Sequence, residues 1–407
     1  MSGLPLDRRS LLAAGGVLAA SVSTGMASAR IPPNSMTPLI GPGYRPVDAD
    51  EKGMWQLMER VEEEVAGTNL LIKDPALQGY LKNLIGTVGG PAAKDFRIYL
   101  VRVPEFNAMM FPTGFAVVFS GLLLRMRNEA QLAGVIAHEA SHFLRKHQIR
   151  AYRDMRTKTD ILATLSMVGG IAGGAAGFYT GGLSQLAELA TILSLLKYSR
   201  TMEAEADALG LKLLAQAGYD PLAMSQTWEQ LIGELRASAR YARKDYRQDW
   251  NIFGTHPLPE TRMAELKVSA EEVRQPGKSY DAHRTRYLQA IGAIRPTLID
   301  DQVKLNDPGA SQYLIETLAQ DGWNGLLRFA EAEVWRLRNR YGDAFRAAQG
   351  YAAAVTFADA PADAWRWHGI MLSKEGKKAE SRAALRRYLM MSPNAPDAPF
   401  VRQMLVA

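Results

Sequence analysis

The sequence has 407 residues, a length that predicts two domains, each large enough to bury its own core. Hydrophobic residues make up 47% and charged residues 22%, which is typical of a globular protein rather than a disordered or fully membrane-embedded one. The net charge of +6 comes from basic residues interspersed with acidic ones, so nucleic acid is not an expected partner. Cysteine is absent, which excludes disulfides, cysteine nucleophiles and thiolate metal sites and leaves six histidines and the carboxylates as metal ligands.

Residues 1–29 have the pattern of a secretory signal peptide. Arg8 and Arg9 precede an apolar run over 11–20, and small residues then lead to a predicted cleavage after Ala29. The arginine pair is typical of twin-arginine export, although only part of that consensus is present. The alternative is a membrane anchor, but the apolar run falls well short of the roughly 20 residues that span a bilayer.

Residues 50–147 are predicted to form the helices and strands of the first domain. Apolar residues at helical spacing predict two helices within 50–88. Two short runs, 96–101 and 114–119, have the composition of strands and predict a small sheet. Residues 128–147 then predict one long helix.

Residues 161–187 carry no charge, yet seven of these 27 positions are glycine. A membrane-spanning helix needs this length of apolar sequence. Each glycine, however, costs a helix about 1 kcal/mol relative to alanine. The pattern therefore favours a helix, a glycine-rich loop and another helix.

Further signals delimit the helices beyond residue 200. The helix that carries Leu211, Leu213 and Leu214 is expected to end at Gly218, and Pro221 suits the first turn of the next helix, which runs to about Leu231. The polar, basic stretch 238–251 is interpreted as a solvated loop.

The C-terminal part, 296–407, is predicted to be all helical and to contain a repeat. Four pairs of residues lie 34 positions apart, which is the period of tetratricopeptide helix pairs. The pairs are Ala330 and Ala364, Gly342 and Gly376, Phe345 and Ala379, and Tyr351 and Leu385. Two units are indicated, with an irregular helical bundle as the alternative. The predicted domains are thus 30–295 and 296–407, in a mainly helical α+β architecture with a small sheet.

Three residues on the predicted long helix carry a candidate reactive centre. His138 and His142 are four residues apart, so both imidazoles project from one helix face, within reach of one zinc ion. Glu139 lies beside them, where its carboxylate could take a proton from zinc-bound water and pass it to a leaving amine. The alternative is an ordinary surface helix, but such a helix has no need of all three residues at this spacing.

A catalytic zinc site takes a third protein ligand, and Glu203 is the candidate. Asp207 lies one turn further on the same face, where it can accept a hydrogen bond from a ligand imidazole. The same periodicity predicts that Glu205 points elsewhere and is solvated. It also predicts that His147 points away from the metal and has a structural role.

These residues lie in motifs that resemble a known family of zinc metallopeptidases, the one that includes HtpX, the CaaX prenyl protease and BepA. The resemblance covers the chain to about residue 291 and rests on 128–142, which ends in His138-Glu139-Ala140-Ser141-His142, and on 199–207. It implies one zinc ion per chain, bound by His138, His142 and Glu203.

Two other segments are similar to family motifs. Asn107 to Gly114 and on to Gly121 resembles the family's edge strand, on which an extended peptide substrate would add as a further strand. Thr255-His256-Pro257, followed by Arg262, resembles the signature near the end of the catalytic domain. The resemblance implies that His256 is a resting-state zinc ligand or a donor to the oxyanion, whereas its alternative role is that of a cap or turn residue.

The signal peptide and the helical C-terminal part make the chain most similar to the BepA-like members of the family. That similarity implies a periplasmic endopeptidase acting on misfolded or stalled outer-membrane proteins. It also implies contact with outer-membrane assembly machinery through the repeats, with peripheral membrane association as a further expectation. One alternative is a chaperone or binding module whose zinc site is occluded by His256 or by 161–187. Another is an intramembrane protease that uses 161–187 as a membrane span and stays in the membrane fraction.

Overall fold

Helices dominate the computed structural model, which describes residues 39–158, 198–244 and 260–406. The predicted signal peptide, the glycine-rich segment 161–187 and His256 lie outside these residues. Sixteen α-helices are described: α1 Ala49–Gly67, α2 Pro75–Val88, α3 Ser120–Arg125, α4 Glu129–Leu144, α5 His147–Lys158, α6 Arg200–Gln216, α7 Leu222–Tyr241, α8 Glu260–Val273, α9 Arg284–Ile291, α10 Arg295–Lys304, α11 Pro308–Leu318, α12 Gly325–Arg338, α13 Asp343–Ala354, α14 Ala362–Lys374, α15 Lys378–Met391 and α16 Ala398–Val406.

The first two helices begin at side-chain caps that the sequence supplies. Asp48 accepts a hydrogen bond from the backbone N–H of Glu51 at the start of α1, and Asp74 accepts one from Leu77 at the start of α2. Each cap satisfies one backbone donor that the first turn of a helix leaves without a partner. The prediction of two helices within 50–88 is confirmed.

A three-stranded sheet follows, with strands β1 Arg97–Val101, β2 Ala108–Met110 and β3 Phe115–Phe119. β3 lies in the middle, parallel to β1 and antiparallel to β2. The two strands predicted from composition are confirmed as β1 and β3. Every residue of β3 is buried, as expected for a central strand covered on both faces.

Helix α4 begins where the sequence predicts but ends earlier than predicted. Asn128 caps its first turn by accepting a hydrogen bond from Gln131 N–H. The helix ends at Leu144, and Lys146 has a left-handed backbone with φ of 53° before α5 begins at His147. The prediction of one helix over 128–147 is therefore wrong at its C-terminal end, because the chain turns at Lys146.

Helix α7 is longer than the sequence suggests. Gly218 has a φ of 89°, the left-handed conformation that ends α6 as predicted, and Pro221 caps the start of α7. α7 continues to Tyr241 rather than Leu231, so the start of the predicted polar loop is helical. Ser238 donates a hydrogen bond of 2.5 Å to Asp307, and this contact with the next part of the chain stabilises the added turns.

The C-terminal helices form two antiparallel hairpins, α12 with α13 and α14 with α15. Residues paired by the 34-residue spacing occupy equivalent places in them. Gly342 and Gly376 both have positive φ, at 81° and 77°, in the turn of each hairpin. Tyr351 and Leu385 are both buried on the second helix of each hairpin.

The main hydrophobic core crosses the predicted domain boundary at residue 295. It contains Leu123 and Leu231 from the first part of the chain together with Val303 and Leu314 from the second. Helices α10, α11 and α12 thus share a hydrophobic core with the part of the chain before residue 295. Within the described residues, no helix combines the length and the apolar character needed to cross a bilayer.

Candidate metal centre

Helix α4 holds two imidazoles side by side in the interior. The Nε2 atoms of His138 and His142 lie 3.0 Å apart, and both residues are buried, at 5% and 0% exposure. The four-residue spacing brings the two side chains to the same face of the helix. The Nε2 atoms therefore converge on one point.

Helix α6 brings a carboxylate to the same point. Glu203 Oε2 lies 3.7 Å from His138 Nε2, and Glu203 Oε1 lies 3.7 Å from His142 Nε2. In the part of the chain that is described, these residues form the one cluster whose ligand atoms all lie within 4.8 Å of one another.

This donor set fits a zinc ion. Zinc takes nitrogen and oxygen ligands at about 2.0–2.2 Å, so two ligands of a tetrahedral ion are separated by about 3.3 Å. The observed separations of 3.0 and 3.7 Å bracket that value. The outer Nδ1 atom of each imidazole contacts a further side chain, Asp207 for His138 and His147 for His142. The Nε2 atoms are therefore left to point at the ion.

The outer nitrogen of His138 faces a carboxylate that an arginine holds in place. Asp207 Oδ1 lies 2.9 Å from His138 Nδ1. Arg262 donates two hydrogen bonds of 2.8 Å to Asp207 and contacts Glu203 Oε2 at 2.6 Å. Burial alone raises the pKa of Asp207, but the Arg262 charge and its hydrogen bonds keep that pKa well below its usual range. Arg262 is thus the counter-charge for both acidic residues.

The outer nitrogen of His142 faces a second imidazole. His147 Nδ1 lies 2.8 Å from His142 Nδ1, and His147 Nε2 lies 3.1 Å from Glu205 Oε2. Arg150 donates a hydrogen bond of 2.7 Å to the same carboxylate oxygen. Burial lowers the pKa of His147 to about 4, although the hydrogen bond to Glu205 opposes that shift.

One sequence prediction about these residues is wrong, and another is incomplete. Glu205 is not solvated, since it is only 4% exposed and is paired with His147 and Arg150. His147 lies away from the metal ligand atoms, as predicted, but the turn at Lys146 brings its ring onto the outer nitrogen of His142, a contact that the sequence did not predict. Extrapolating the α4 periodicity beyond Leu144 missed this turn. No feature of the sequence pattern indicates that a new helix begins at His147.

Glu139 lies between the two histidines and the sheet. Its Oε2 atom accepts a hydrogen bond of 3.3 Å from the backbone N–H of Met110 in β2, and the residue is 7% exposed. The carboxylate therefore lies on the side of the centre that faces β2.

β2 is an edge strand of the described sheet, and its pairing fixes which backbone groups face outward. The Asn107 carbonyl accepts a hydrogen bond from Phe119 N–H, and Phe111 N–H donates one to the Phe115 carbonyl. The backbone groups of the alternate residues Ala108 and Met110 therefore point away from β3. The carbonyl of Met110 accepts a hydrogen bond from Gln148. The predicted edge-strand residues Asn107 and Gly114 flank β2 rather than lie in it, and Gly114 forms the turn to β3 with a φ of 87°.

A small apolar pocket adjoins the centre between α4, β2 and α7. His138 and Glu139 form one side of it. The other lining residues are Phe106, Ala108, Gly134, Val135, Met224, Thr227 and Trp228. A group bound beside Glu139 therefore has an apolar cavity next to it.

Comparison with known proteins agrees with this geometry. Residues 72–270 match the model of peptidase family M48. The beta-barrel assembly-enhancing protease of Escherichia coli (strain K12) is 30% identical over 254 residues, covering 60% of this chain and 50% of that protein. The mitochondrial metalloendopeptidase OMA1 of Arabidopsis thaliana is 36% identical over 181 residues, covering 44% of this chain and 33% of that protein.

The putative beta-barrel assembly-enhancing protease of Vibrio cholerae is 32% identical over 207 residues, which cover 50% of this chain and 41% of that protein. The chain thus spans about half the length, or less, of these curated relatives. The matched region contains both histidines, Glu139, Glu203 and Arg262. Together with the geometry of the centre, it confirms the family predicted from the sequence: this chain carries a domain of peptidase family M48 over residues 72–270.

Proposed function

We propose that this protein is a zinc-dependent metalloendopeptidase of the bacterial cell envelope. One observation carries the proposal: His138, His142 and Glu203 converge on one point, and the Glu139 carboxylate lies beside it, next to an edge strand. This arrangement offers the three protein ligands that catalytic zinc sites use, with a proton acceptor beside them.

His138, His142 and Glu203 would hold the zinc ion. When bound there, zinc supplies Lewis acidity to a carbonyl oxygen and to a water molecule. Glu139 takes the proton of the attacking water and delivers it to the leaving amine. Asp207 accepts a hydrogen bond from His138 Nδ1 and so keeps the proton of His138 on that nitrogen. His256 is a further ligand in a resting state or a donor to the oxyanion.

The peptide substrate lies along β2 in an extended conformation. Ala108 has its backbone N–H and C=O directed to the outer edge of the strand, where a peptide can add as a further strand. Met110 is engaged with Glu139 and Gln148, which fixes that end of the edge. The apolar pocket beside Glu139 then receives a substrate side chain, so we expect an apolar residue next to the cleaved bond.

The relatives and the pattern of residues 1–29 support a proposed biological setting. Relatives named for enhancing β-barrel assembly favour misfolded or stalled outer-membrane proteins as substrates. The signal-like residues 1–29, with cleavage after Ala29, favour a periplasmic location. The helix hairpins within 296–407, which we interpret as tetratricopeptide-like, are the proposed contact with outer-membrane assembly machinery. The metallopeptidase domain is assigned to 30–295, and its core continues into the first helices after residue 295.

Proteolysis of casein or an unfolded outer-membrane protein tests the proposal. The wild type should cleave, and Glu139→Gln should cleave about 10²–10⁴ times more slowly while retaining its zinc, because only the proton acceptor is lost. Glu203→Ala should lose zinc as measured by metal analysis. Mass spectrometry of the products should find an apolar residue beside the cleaved bonds.

The matched control is Glu229→Gln on the exposed face of α7, which should cleave at the wild-type rate. His256→Ala separates a resting-state ligand, whose loss raises the rate, from an oxyanion donor, whose loss lowers it. Absence of cleavage by both the wild type and His256→Ala would rule out the protease. Equal cleavage by Glu139→Gln would rule out the assigned base.

A chaperone or binding module with an occluded zinc site is not favoured. The three relatives compared above are all named as proteases or endopeptidases. No feature of the described residues points specifically to a chaperone activity of the helical repeats.

A further inference from the structure

A line of buried hydrogen bonds runs outward from His142. It passes from His142 Nδ1 to His147 Nδ1 over 2.8 Å, and from His147 Nε2 to Glu205 over 3.1 Å. Both imidazoles are 0% exposed and Glu205 is 4% exposed. Arg150 closes the line with a hydrogen bond of 2.7 Å to the Glu205 carboxylate.

The proton positions along this line depend on one another. A carboxylate paired with an arginine accepts hydrogen bonds, so His147 carries its proton on Nε2 and donates it to Glu205. His147 Nδ1 is then an acceptor, and the contact of 2.8 Å requires the proton of His142 on Nδ1. His142 Nε2 is thereby left with a lone pair that points towards His138 and Glu203.

The ring plane of His142 is fixed as well. Tyr198 stacks on it with ring centroids 3.9 Å apart and an interplanar angle of 18°. His147 contacts its edge at 73°. The ring therefore has a neighbour on its face and one at Nδ1, and rotation would break the hydrogen bond.

The outer nitrogen of His138 also contacts a side chain, but no second imidazole lies between it and the carboxylate. His138 Nδ1 faces Asp207 directly, and Arg262 holds that carboxylate. On the His142 side, an imidazole stands between the ligand and the carboxylate. Both carboxylates come from α6, two residues apart, so a single helix orients both imidazoles from opposite sides.

We propose that His147 and Glu205 are positioning residues for the metal centre, and that they hold His142 in the tautomer that ligates through Nε2. The inference rests on the proposed zinc site. Side chains that orient a metal-binding histidine typically contribute 10–100-fold to metal affinity. His147 and Glu205 should therefore act on zinc affinity, and only through it on peptide cleavage.

Two substitutions of His147 separate positioning from packing. An asparagine amide occupies approximately the place of the imidazole Nδ1, so His147→Asn keeps an acceptor for His142. A glutamine amide reaches the place of Nε2, so His147→Gln keeps the contact with Glu205 but removes that acceptor. Zinc affinity is measured on the full-length protein by competition with a chelator of known affinity, and thermal unfolding of the metal-free protein is measured alongside. His283→Asn, at the N-terminus of α9, is the control.

We expect His147→Asn and the control to bind zinc much as the wild type does, and His147→Gln to bind it about 10–100 times more weakly. Glu205→Leu should show a similar loss. Equal zinc affinity of the asparagine and glutamine variants would overturn the inference. So would a loss of zinc affinity that is fully explained by a lower stability of the metal-free protein. Zinc binding by a wild type that cleaves nothing would refute the protease alone, whereas a wild type that binds no zinc would refute both.

Discussion

At the scale of single residues, Arg262 determines whether the acidic side of the metal centre can exist in the interior. It is 9% exposed in its side chain and contacts Glu203 and Asp207, which are exposed by 3% and 12%. Two buried carboxylates without a counter-charge repel each other and lose their hydration. A bound zinc ion compensates part of that charge, whereas in the metal-free protein Arg262 is the cation that the described residues place against both carboxylates.

Replacing Arg262 with methionine should therefore destabilise the metal-free protein strongly. Removing one partner of a buried ion pair typically costs about 3–5 kcal/mol in the free energy of unfolding. Urea unfolding with and without zinc measures the effect, which should be larger without zinc. Arg274→Met is the control, because Arg274 and its partner Asp220 are partly exposed and their pairing contributes at most about 1 kcal/mol. Equal effects of the two substitutions would contradict this account.

The sequence predicts the inner residues of the centre better than their supports. His138, His142 and Glu139 follow from the spacing on one continuous helix, and Asp207 from its position one turn after Glu203. The roles of Arg262 and Glu205 depend on how separate helices pack, and local periodicity carries no information on that packing.

At the scale of elements, the centre depends on the close crossing of α4 and α6. Gly210 lies at this crossing, where a Cβ atom would be 3.2 Å from the backbone N and 3.3 Å from the Cα of His138. These neighbours are backbone atoms of α4, so they cannot move aside as a side chain can. The spacing of the two helices therefore sets the distance from Glu203 to the histidines.

Gly210→Ala should weaken zinc binding and destabilise the protein. Alanine favours a helix by up to about 1 kcal/mol over glycine, but overpacking of a close contact typically costs about 1–3 kcal/mol. Gly79→Ala in α2 is the control, since no atom lies within 4 Å of its added Cβ, and it should gain stability. Thermal unfolding and zinc competition measure both effects. A Gly210→Ala protein as stable as the control, with unchanged zinc affinity, would show that the crossing of α4 and α6 accommodates a methyl group.

The elements themselves could be predicted where the local pattern is strong. The paired helices of 50–88 and the strands β1 and β3 follow from apolar periodicity and residue type. The turn at Lys146 and the extension of α7 to Tyr241 could not be predicted in this way. The first is a left-handed residue without a glycine, and the second is stabilised by contacts with α11.

At the scale of the whole molecule, the peptidase domain and the first C-terminal helices are joined by side-chain hydrogen bonds and ion pairs as well as by the shared core. Arg125, on α3, donates hydrogen bonds to Glu234 on α7 and to Gln302 on α10. Arg102 forms a bidentate pair with Asp301 on α10. A boundary placed at residue 295 cuts through these contacts.

A fragment of residues 30–295 should therefore fail to fold cooperatively. It would expose the apolar surface that α10 to α12 cover, and it would leave Arg125 without Gln302 beside the buried Glu234. A fragment of residues 30–340 keeps these helices and should retain zinc binding, although loss of α13 uncovers α12 and lowers its stability. Circular dichroism during thermal unfolding and zinc competition distinguish the two fragments. If 30–295 unfolds cooperatively and binds zinc as tightly as the full chain, the helices after residue 295 form a separate domain, and the shared core contributes little to the metal centre.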